Sequence, residues 1–197
     1  MLANRVRMSQ IKKGIPSYYV MAQDSDFSGT SNGTFKYIGS HEYVIIPHVI
    51  KEVNVTSYEE MFSYNASTTL KGVASDNPNV TNMRYMFSSS KATTLDLSSF
   101  DTSKVTDMQS MFSGSQATTL DLSSFDTSSV TSMNYMFQDS KATTLDLSSF
   151  DTSSVTGMNR MFQDSKATTG YARTQSDADR FNATTNKPAG LKFVVKP

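Results

Sequence analysis

The segment TLDLSSFDTS at residues 94–103 recurs without change at 119–128 and at 144–153, so the sequence has a repeat of 25 residues. Each copy is followed by Val-Thr, by Met three residues after the valine, and then by a Met-Phe pair. This second part of the unit starts nearer the N-terminus and occurs five times within residues 53–167, with Tyr58 at the first Met position of the first copy. Self-similarity at a fixed period of this length is the sequence signature of a solenoid.

Each repeat unit has two parts with different periodicities. In the Leu-Asp-Leu part, apolar and polar residues alternate, which predicts a short strand with one buried face. In the second part, the Val, Met, Met and Phe positions at offsets 0, 3, 6 and 7 fit one face of a short helix. Asp-Thr-Ser between them is typical of turns and helix N-caps. We therefore predict an α/β leucine-rich-repeat solenoid with a short parallel strand ladder and short helices on the opposite side.

The predicted organisation has three parts: an N-terminal segment and cap at 1–52, five repeats at 53–167 and a C-terminal cap at 168–197. Solenoids need atypical ends because a bare terminal coil exposes its core. In the N-terminal part, Tyr43–Ile46 is typical of a strand. The Gly/Ser/Asn-rich residues 28–33 before it predict the turn of a hairpin.

The C-terminal cap is predicted to contain a helix and a strand. Thr174 and Asp177 have the spacing of a capping box, which predicts a helix through Phe181. The Lys-Pro-Ala-Gly segment at 187–190 predicts a turn into a last strand over 191–195.

Composition and charge exclude several classes of function. The chain has no Cys, so thiolate metal sites and thiol nucleophiles are absent. The net charge is zero, but residues 53–167 hold seven basic and twelve acidic side chains, a net charge of −5. An acidic surface disfavours a nucleic-acid partner. Residues 1–20 contain neither a signal peptide nor a membrane-spanning stretch, so we expect no membrane insertion.

The unit LDLSSFDTSxVTxMxxMF resembles the BspA-type leucine-rich repeat, and more closely its 25-residue subtype from Mycoplasma lipoproteins and Firmicute surface and prophage proteins. The resemblance covers about residues 53–167. It implies a right-handed solenoid, a bacterial cell surface or phage virion as the setting, and adhesion to host matrix, mucus, other bacteria or glycans. It carries no catalytic residues to transfer.

One feature of the repeats departs from that family. The position after Met-Phe-x-x, often Cys in the family, is Ser in four repeats. Because a buried hydroxyl needs a hydrogen-bond partner, we expect these side chains to be more exposed than a thiol or to be hydrogen-bonded. The four residues are Ser90, Ser115, Ser140 and Ser165.

The first candidate ligand-binding surface is the outward face of the strand ladder, the "ladder face". If the leucines face inwards, the flanking polar side chains face outwards and stack on their equivalents in the next coil. Stacked carboxylates about 4.8 Å apart repel by about 1 kcal/mol per pair in water. Hydrogen bonds, a raised pKa or a cation such as Ca²⁺ must offset that repulsion; we favour hydrogen bonds and expect no resident metal or cofactor. The ladder-face residues are Thr94, Asp96, Ser98, Thr119, Asp121, Ser123, Thr144, Asp146 and Ser148.

The second candidate surface is on the predicted helix side, where the repeats differ from one another. Tyr85, Tyr135 and Arg160 occupy equivalent positions of three repeats. Tyr and Arg are the residue types enriched at binding hot spots. A variable row of this kind suits a protein partner, whereas the uniform ladder face suits a repetitive partner such as a polysaccharide.

No catalytic constellation is evident in the sequence, and we predict that the chain is not an enzyme. Repeat symmetry gives the aspartates similar surroundings, whereas acid–base catalysis by paired carboxylates requires unlike ones. His41 and His48 have no motif around them. The favoured function is a recognition or adhesion module for a host, cell-surface or glycan ligand. The alternative is a structural phage-tail or self-assembling component that docks through strand edges at its caps.

Overall fold

The computed structural model describes residues 19–29, 34–47, 49–75 and 77–197, and in it the chain forms a β-solenoid of about seven turns. The coils present short strands on one side and tight turns on the other. The elements in chain order are β1 (Val20–Met21), a single 3-10 turn (Asp24–Asp26), β2 (Phe27–Gly29), β3 (Phe35–Tyr37), β4 (Tyr43–Ile45), β5 (Val49–Ile50), β6 (Val53–Asn54), β7 (Gly72–Ala74), β8 (Thr94–Asp96), β9 (Thr119–Asp121), β10 (Thr144–Leu147), β11 (Thr169–Ala172), α1 (Gln175–Asn182) and β12 (Lys192–Val195).

The strand side consists of two parallel sheets, with strand orders β1-β4-β7-β8-β9 and β10-β11-β12. The register follows the sequence repeat, because Leu95 pairs with Leu120 and Asp96 with Asp121. The predicted parallel ladder is therefore confirmed. Within the described ranges, no strand pairing joins β9 to β10, so the three identical Leu-Asp-Leu copies are divided between two sheets.

The predicted helices opposite the strands are wrong, because those segments are successive turns. Along the second repeat, the N–H groups of Met83, Tyr85 and Phe87 donate to carbonyls of the next coil at 2.9, 3.0 and 2.9 Å. The N–H groups of Met86 and Ser88, in contrast, donate to carbonyls three residues earlier. Because alternate N–H groups point along the solenoid axis, the 13-atom rings of an α-helix cannot form. Among the described residues, only α1 is an α-helix.

The apolar Val, Met, Met and Phe side chains of the repeat nevertheless face the interior, as predicted. In the central repeat, Val105, Met108, Met111 and Phe112 are fully buried. Tight turns with a period near three bring side chains to the interior at nearly the same spacing as a helix does. These side chains therefore close the core as predicted. Only the predicted backbone conformation of the segment, a helix, is wrong.

The Met-Phe phenylalanines form a continuous column along the axis. Successive rings of Phe87, Phe112 and Phe137 are stacked, with centroids 5.8 and 5.5 Å apart and interplanar angles of 2° and 10°. Each cap extends the column with an aromatic ring of its own. Tyr37 of β3 lies 5.0 Å from Phe62, and Phe193 of β12 lies 4.8 Å from Phe162.

The serines at the position of the family cysteine are buried, not exposed. Ser90, Ser115 and Ser140 have no accessible surface, and each hydroxyl accepts a hydrogen bond from the backbone N–H two residues later, at 3.3–3.4 Å. The expectation that these hydroxyls are either exposed or hydrogen-bonded is confirmed for these three, through a bond to their own backbone. It is wrong for Ser165, which is also buried and whose hydroxyl has no hydrogen-bond partner in the described part of the chain.

The Asp-Thr-Ser turns connect one coil to the next. The Thr127 hydroxyl donates to the carbonyl of Asp151 at 2.9 Å and accepts from the Asp151 N–H at 2.8 Å. The carboxylate of Asp126 accepts from the backbone N–H of Ser128 at 3.0 Å, which confirms the predicted turn-capping role. Each turn therefore closes itself through its Asp and joins its neighbour through its buried Thr.

The C-terminal cap packs on the last repeat, in the place where a further coil would lie. The predicted helix is α1, whose N-cap Thr174 accepts from the N–H of Asp177, and the predicted last strand is β12. Thr152 donates through its hydroxyl and its N–H to the Asp177 carboxylate at 2.7 and 3.1 Å. Arg180 of the same helix donates to the carbonyls of Thr152 and Val155. The side chains of α1 thus satisfy backbone groups that a further coil would otherwise meet.

The N-terminal cap contains the predicted hairpin. Strands β2 and β3 pair antiparallel, with Phe27 opposite Tyr37, and the turn residues 30–33 lie outside the described residues. His41 lies 3.6 Å from the carboxylate of Asp26, and His48 is outside the described residues.

Candidate functional site

The structure places the predicted ladder-face residues on the outer side of the two sheets. Six of them are exposed, namely Thr94, Ser98, Thr119, Asp121, Ser123 and Thr144. Three are half-buried, namely Asp96, Asp146 and Ser148. Because β9 and β10 do not pair, this face is not the continuous ladder that the sequence suggested.

The ladder-face carboxylates are held by hydrogen bonds. Asp96 accepts from the N–H and the hydroxyl of Ser98 at 3.0 and 2.6 Å, and from the Tyr19 hydroxyl at 3.0 Å. Asp121 accepts from Ser123 in the same way at 3.0 and 2.7 Å. The hydrogen-bonded state that we favoured is therefore the one observed. Within the described part of the chain, no three His, Asp or Glu side chains come together as metal ligands.

Asp146 differs from the other two because Lys196, the residue after β12, reaches it. The Lys196 ammonium lies 2.6 Å from the Asp146 carboxylate, which also accepts from the Ser148 N–H at 3.1 Å. A crevice of about 380 Å³ opens beside this pair, where β9 and β10 separate, and its wall includes Leu120 and Asp121. Three identical sequence blocks thus carry three different carboxylate environments.

Four carboxyls have pKa values below their ordinary range: two on the ladder face, one in the last Asp-Thr-Ser turn and one in the C-terminal cap. Partial burial acts to raise the pKa of Asp96, but the hydrogen bonds from Ser98 and Tyr19 outweigh it. Burial acts in the same direction on Asp146 and Asp177, and bonds from lysine, threonine, serine and arginine donors outweigh it there. For Asp151, the bonds from Ser153 lower the pKa, and the nearby Arg173 adds to this effect.

These lowered pKa values predict that the protein loses stability in acid. A carboxyl whose folded pKa lies below its unfolded value, near 3.8, binds fewer protons when folded. Its stabilising contribution is present above the unfolded pKa and disappears as the pH falls through the folded pKa. We expect the free energy of unfolding in urea to be flat from about pH 7 to about pH 5 and to fall below about pH 4. Equal stability at pH 6 and pH 3 contradicts this prediction.

Tyr85, Tyr135 and Arg160, the predicted residues of the second surface, share a backbone position on the turn side. Their φ angles are 55°, 59° and 53°, in the left-handed region that non-glycine residues seldom adopt. Glu60 and Ser110 occupy the same position in the other two repeats, with φ angles of 58° and 56°. The five residues form one column, which we call the tyrosine column.

A second left-handed column follows four residues later in each repeat. Its members are Tyr64, Ser89, Gly114, Asp139 and Asp164, with φ between 54° and 67°. Of these ten positions only one, Gly114, is a glycine, the residue that adopts this conformation without steric cost. Nine side chains are therefore held in a left-handed backbone.

A groove of about 440 Å³ lies on the turn side between the two columns. We call it the turn-side groove; Tyr64, Tyr85 and Tyr135 are its aromatic residues, and hydroxyl and amide side chains fill most of the remaining wall. The Gln109 amide donates to the Tyr85 hydroxyl at 3.2 Å, which connects two neighbouring coils across the groove. Glu60 is the one acidic side chain among the groove residues of the described chain, and it pairs with Lys36 at 3.4 Å. Beside the groove, the Arg84 guanidinium lies over the Tyr85 ring, 5.5 Å from its centroid.

Two of these groove residues are predicted from the sequence, and the others are not. Tyr85 and Tyr135 were predicted from variation among repeats, and Arg160 of the same column does not line the groove. Tyr64, Ser110 and Gln109 were not identified. An alignment of the repeats with one another identifies Tyr64, which lies four residues after the tyrosine-column position of its repeat and is 73% exposed.

These features define the class of the chain as a solenoid repeat protein with a 25-residue period. The chain belongs to the family described as Mycoplasma protein of unknown function, DUF285, whose model matches residues 52–174. Comparisons with curated proteins and with solved structures gave no significant match. In the described part of the chain, no helix has the length and apolar character needed to cross a membrane.

Proposed function

We propose that the chain is a recognition module and that the turn-side groove is its ligand-binding site. The observation that carries this proposal is the left-handed backbone at Tyr64, Tyr85 and Tyr135. An L-residue in this conformation costs roughly 1–2 kcal/mol, and Gly114 shows that glycine fits these columns. Strained backbone carrying large side chains is concentrated at binding and active sites. Tyrosine stands at three of these costly positions, and all three tyrosines line the groove.

The chemistry of the groove suits binding rather than reaction. Tyrosine combines a large apolar face with a hydroxyl and loses little conformational entropy on binding. The neighbouring Ser and Gln side chains donate and accept hydrogen bonds without carrying charge. The resemblance to BspA-type repeats supports a finer role, adhesion to a ligand on a host or bacterial surface, with the chain displayed on a cell surface or a virion.

The ladder face supports this function less well than the groove does. Its Ser and Asp side chains bond to one another within each coil, as Ser98 and Ser123 do with Asp96 and Asp121. A ligand must compete with those bonds. Ligand binding by the ladder-face residues stays a prediction.

Self-association through the caps, the alternative function, also stays a prediction. The last strand exposes Val194 and Val195, which makes it available to a neighbour. On its outer edge, however, the Asn182 amide donates to the carbonyl of Phe193 at 2.9 Å and accepts from the Phe193 N–H at 3.0 Å. Asn182 occupies the positions that a further strand needs, which favours recognition over assembly.

Tyrosine-to-glycine variants test the proposed function without straining the fold. In the double variant Tyr85→Gly/Tyr135→Gly, both rings are lost and the left-handed backbone becomes easier to adopt. We expect a native circular dichroism spectrum and at least a tenfold loss of binding to the cells, mucins, matrix proteins or glycans that the wild-type chain binds.

Asp164→Gly is the matched control for this test. Asp164 has a φ of 55°, is exposed and lies outside the groove. We expect this variant to bind as the wild-type chain does. A double tyrosine variant that binds every wild-type ligand with unchanged affinity refutes the groove as the binding site.

A further inference from the structure

We infer that the ligand of the turn-side groove is a linear, uncharged polysaccharide that lies along the solenoid axis. This inference rests on the proposed function and specifies the chemical class of its ligand. It follows from the spacing of the aromatic rings, from the hydrogen-bonding groups between them and from the charge around the groove.

The spacing of the tyrosines follows from the phenylalanine column beneath them. Tyr85 and Tyr135 each precede a column residue by two positions, and Phe87, Phe112 and Phe137 are separated by 5.8 and 5.5 Å. The two tyrosines therefore recur at about twice the coil spacing. This distance is comparable to the length of a disaccharide unit in an extended glycan, so alternate sugars of one chain can meet successive tyrosines.

The coil between the two tyrosines provides a depression. Ser110 occupies the tyrosine column there and is only 5% exposed, so the column itself has no projecting side chain at that level. Hydroxyl and amide groups of Ser113, Gln109 and Gln138 lie around it. A ring, a recess and a second ring follow one another along the groove. This order fits a polymer in which one sugar stacks on a tyrosine and the next sugar forms hydrogen bonds in the recess.

The side chains of the groove wall determine which class of polymer the turn-side groove can bind. A phenol ring packs against the apolar face of a pyranose, while Ser and Gln side chains pair with its hydroxyl groups. The groove wall offers hydroxyl and amide groups rather than an apolar groove or pockets for the side chains of a peptide. An anionic polysaccharide meets a repeat region with a net charge of −5, whereas the charge of Glu60 at one end of the groove is offset by Lys36. These features together favour a neutral glycan over the protein partner that the variation of this row led us to expect.

The length of the groove sets the size of the ligand. It extends from the coil of Glu60 through those of Tyr85 and Ser110 to that of Tyr135, four coils in all. A single sugar or a disaccharide can contact one tyrosine, whereas a longer oligosaccharide contacts both. We therefore expect affinity to rise with chain length up to about four to six sugars.

The experiment is a calorimetric titration of the full chain with defined oligosaccharides. The uncharged probes are cellohexaose and chitohexaose with their disaccharides, and the anionic probe is a hyaluronan hexasaccharide. We expect an uncharged hexamer to bind at least fivefold more tightly than its disaccharide and than the anionic probe. Tyr85→Gly and Tyr135→Gly are each expected to weaken hexamer binding at least tenfold, whereas Asp164→Gly leaves it unchanged.

A second variant separates stacking from hydrogen bonding. Tyr85→Phe keeps the ring and removes the hydroxyl that accepts from Gln109, so we expect a loss of no more than about threefold in hexamer affinity. A tenfold loss in this variant overturns the stacking interpretation.

The outcomes distinguish this inference from the proposed function. If no uncharged oligosaccharide binds, or the anionic probe binds more tightly, the glycan inference is overturned. The proposed function then still holds if the tyrosine variants lose binding to a protein or cell ligand. If the glycine variants bind all ligands as the wild-type chain does, both proposals are overturned.

Discussion

Phe112→Ala is expected to lower the free energy of unfolding by about 3–5 kcal/mol, because it leaves a cavity at the centre of the solenoid. The Phe112 ring is fully buried between Phe87 and Phe137, with nearly parallel planes on both sides. Each coil of a solenoid contacts only its neighbours, so the loss of one ring weakens two coil interfaces at once. A domain of ordinary stability has about 5–15 kcal/mol in total, so this variant is expected to be marginally folded at best.

The measurement is urea unfolding followed by circular dichroism, with Phe112→Leu as the control. Leucine keeps most of the buried volume, so we expect a loss of about 1–2 kcal/mol for that variant. If alanine and leucine destabilise the chain equally, or if alanine costs less than about 1 kcal/mol, the column does not have the central role that its packing indicates.

Asp177→Asn is expected to destabilise the chain by about 2–4 kcal/mol, although the side chain keeps its shape. The Asp177 carboxylate is 3% exposed and accepts from Thr152, from the Thr174 hydroxyl at 2.5 Å and from the Arg173 guanidinium at 3.2 Å. All of its partners are donors, so an amide N–H₂ group in its place faces donors and leaves a buried group unpaired. The donor groups of Thr152, at the end of the last complete coil, then lose their carboxylate acceptor.

The matched control for this variant lies on the same helix. Asp179 is exposed and accepts from the Gln175 side chain at 2.8 Å, so Asp179→Asn is expected to change stability by less than about 0.5 kcal/mol. Urea unfolding at pH 7 compares the two. Repeating it at pH 3 adds a second readout, because Asp177→Asn removes one of the carboxyls whose pKa is lowered and should reduce the acid sensitivity. Equal effects of the two substitutions contradict the capping role of Asp177.

Local sequence patterns were sufficient for the strand side and for the core. Alternation in Leu-Asp-Leu identifies the strands, and the period of 25 fixes their parallel register, as the pairing of Leu95 with Leu120 shows. The Val, Met and Met-Phe positions identify the buried stripe, because burial depends on side-chain polarity, which the sequence displays directly. The same reasoning found α1, since Thr174 and Asp177 form a local capping interaction.

Local patterns were not sufficient for the turn side. The N–H of Tyr85 donates to the carbonyl of Gln109, a residue of the next coil. An apolar period near three is compatible both with a helix and with successive turns. The choice between them is made by hydrogen bonds between coils, which hold Tyr85 and its equivalents in a left-handed backbone.

The sequence alone thus determined that this protein is a solenoid with a 25-residue coil, which residues close its core and how its C-terminal end is capped. Only the tertiary structure decided that the described residues of the turn side form no helix, that β9 and β10 lie in separate sheets, and that Tyr64, Tyr85 and Tyr135 line one groove. The physical reason is the range of the interactions involved. Polarity and capping act within a few residues, whereas backbone bonds between the regular coils join residues 24 to 26 positions apart.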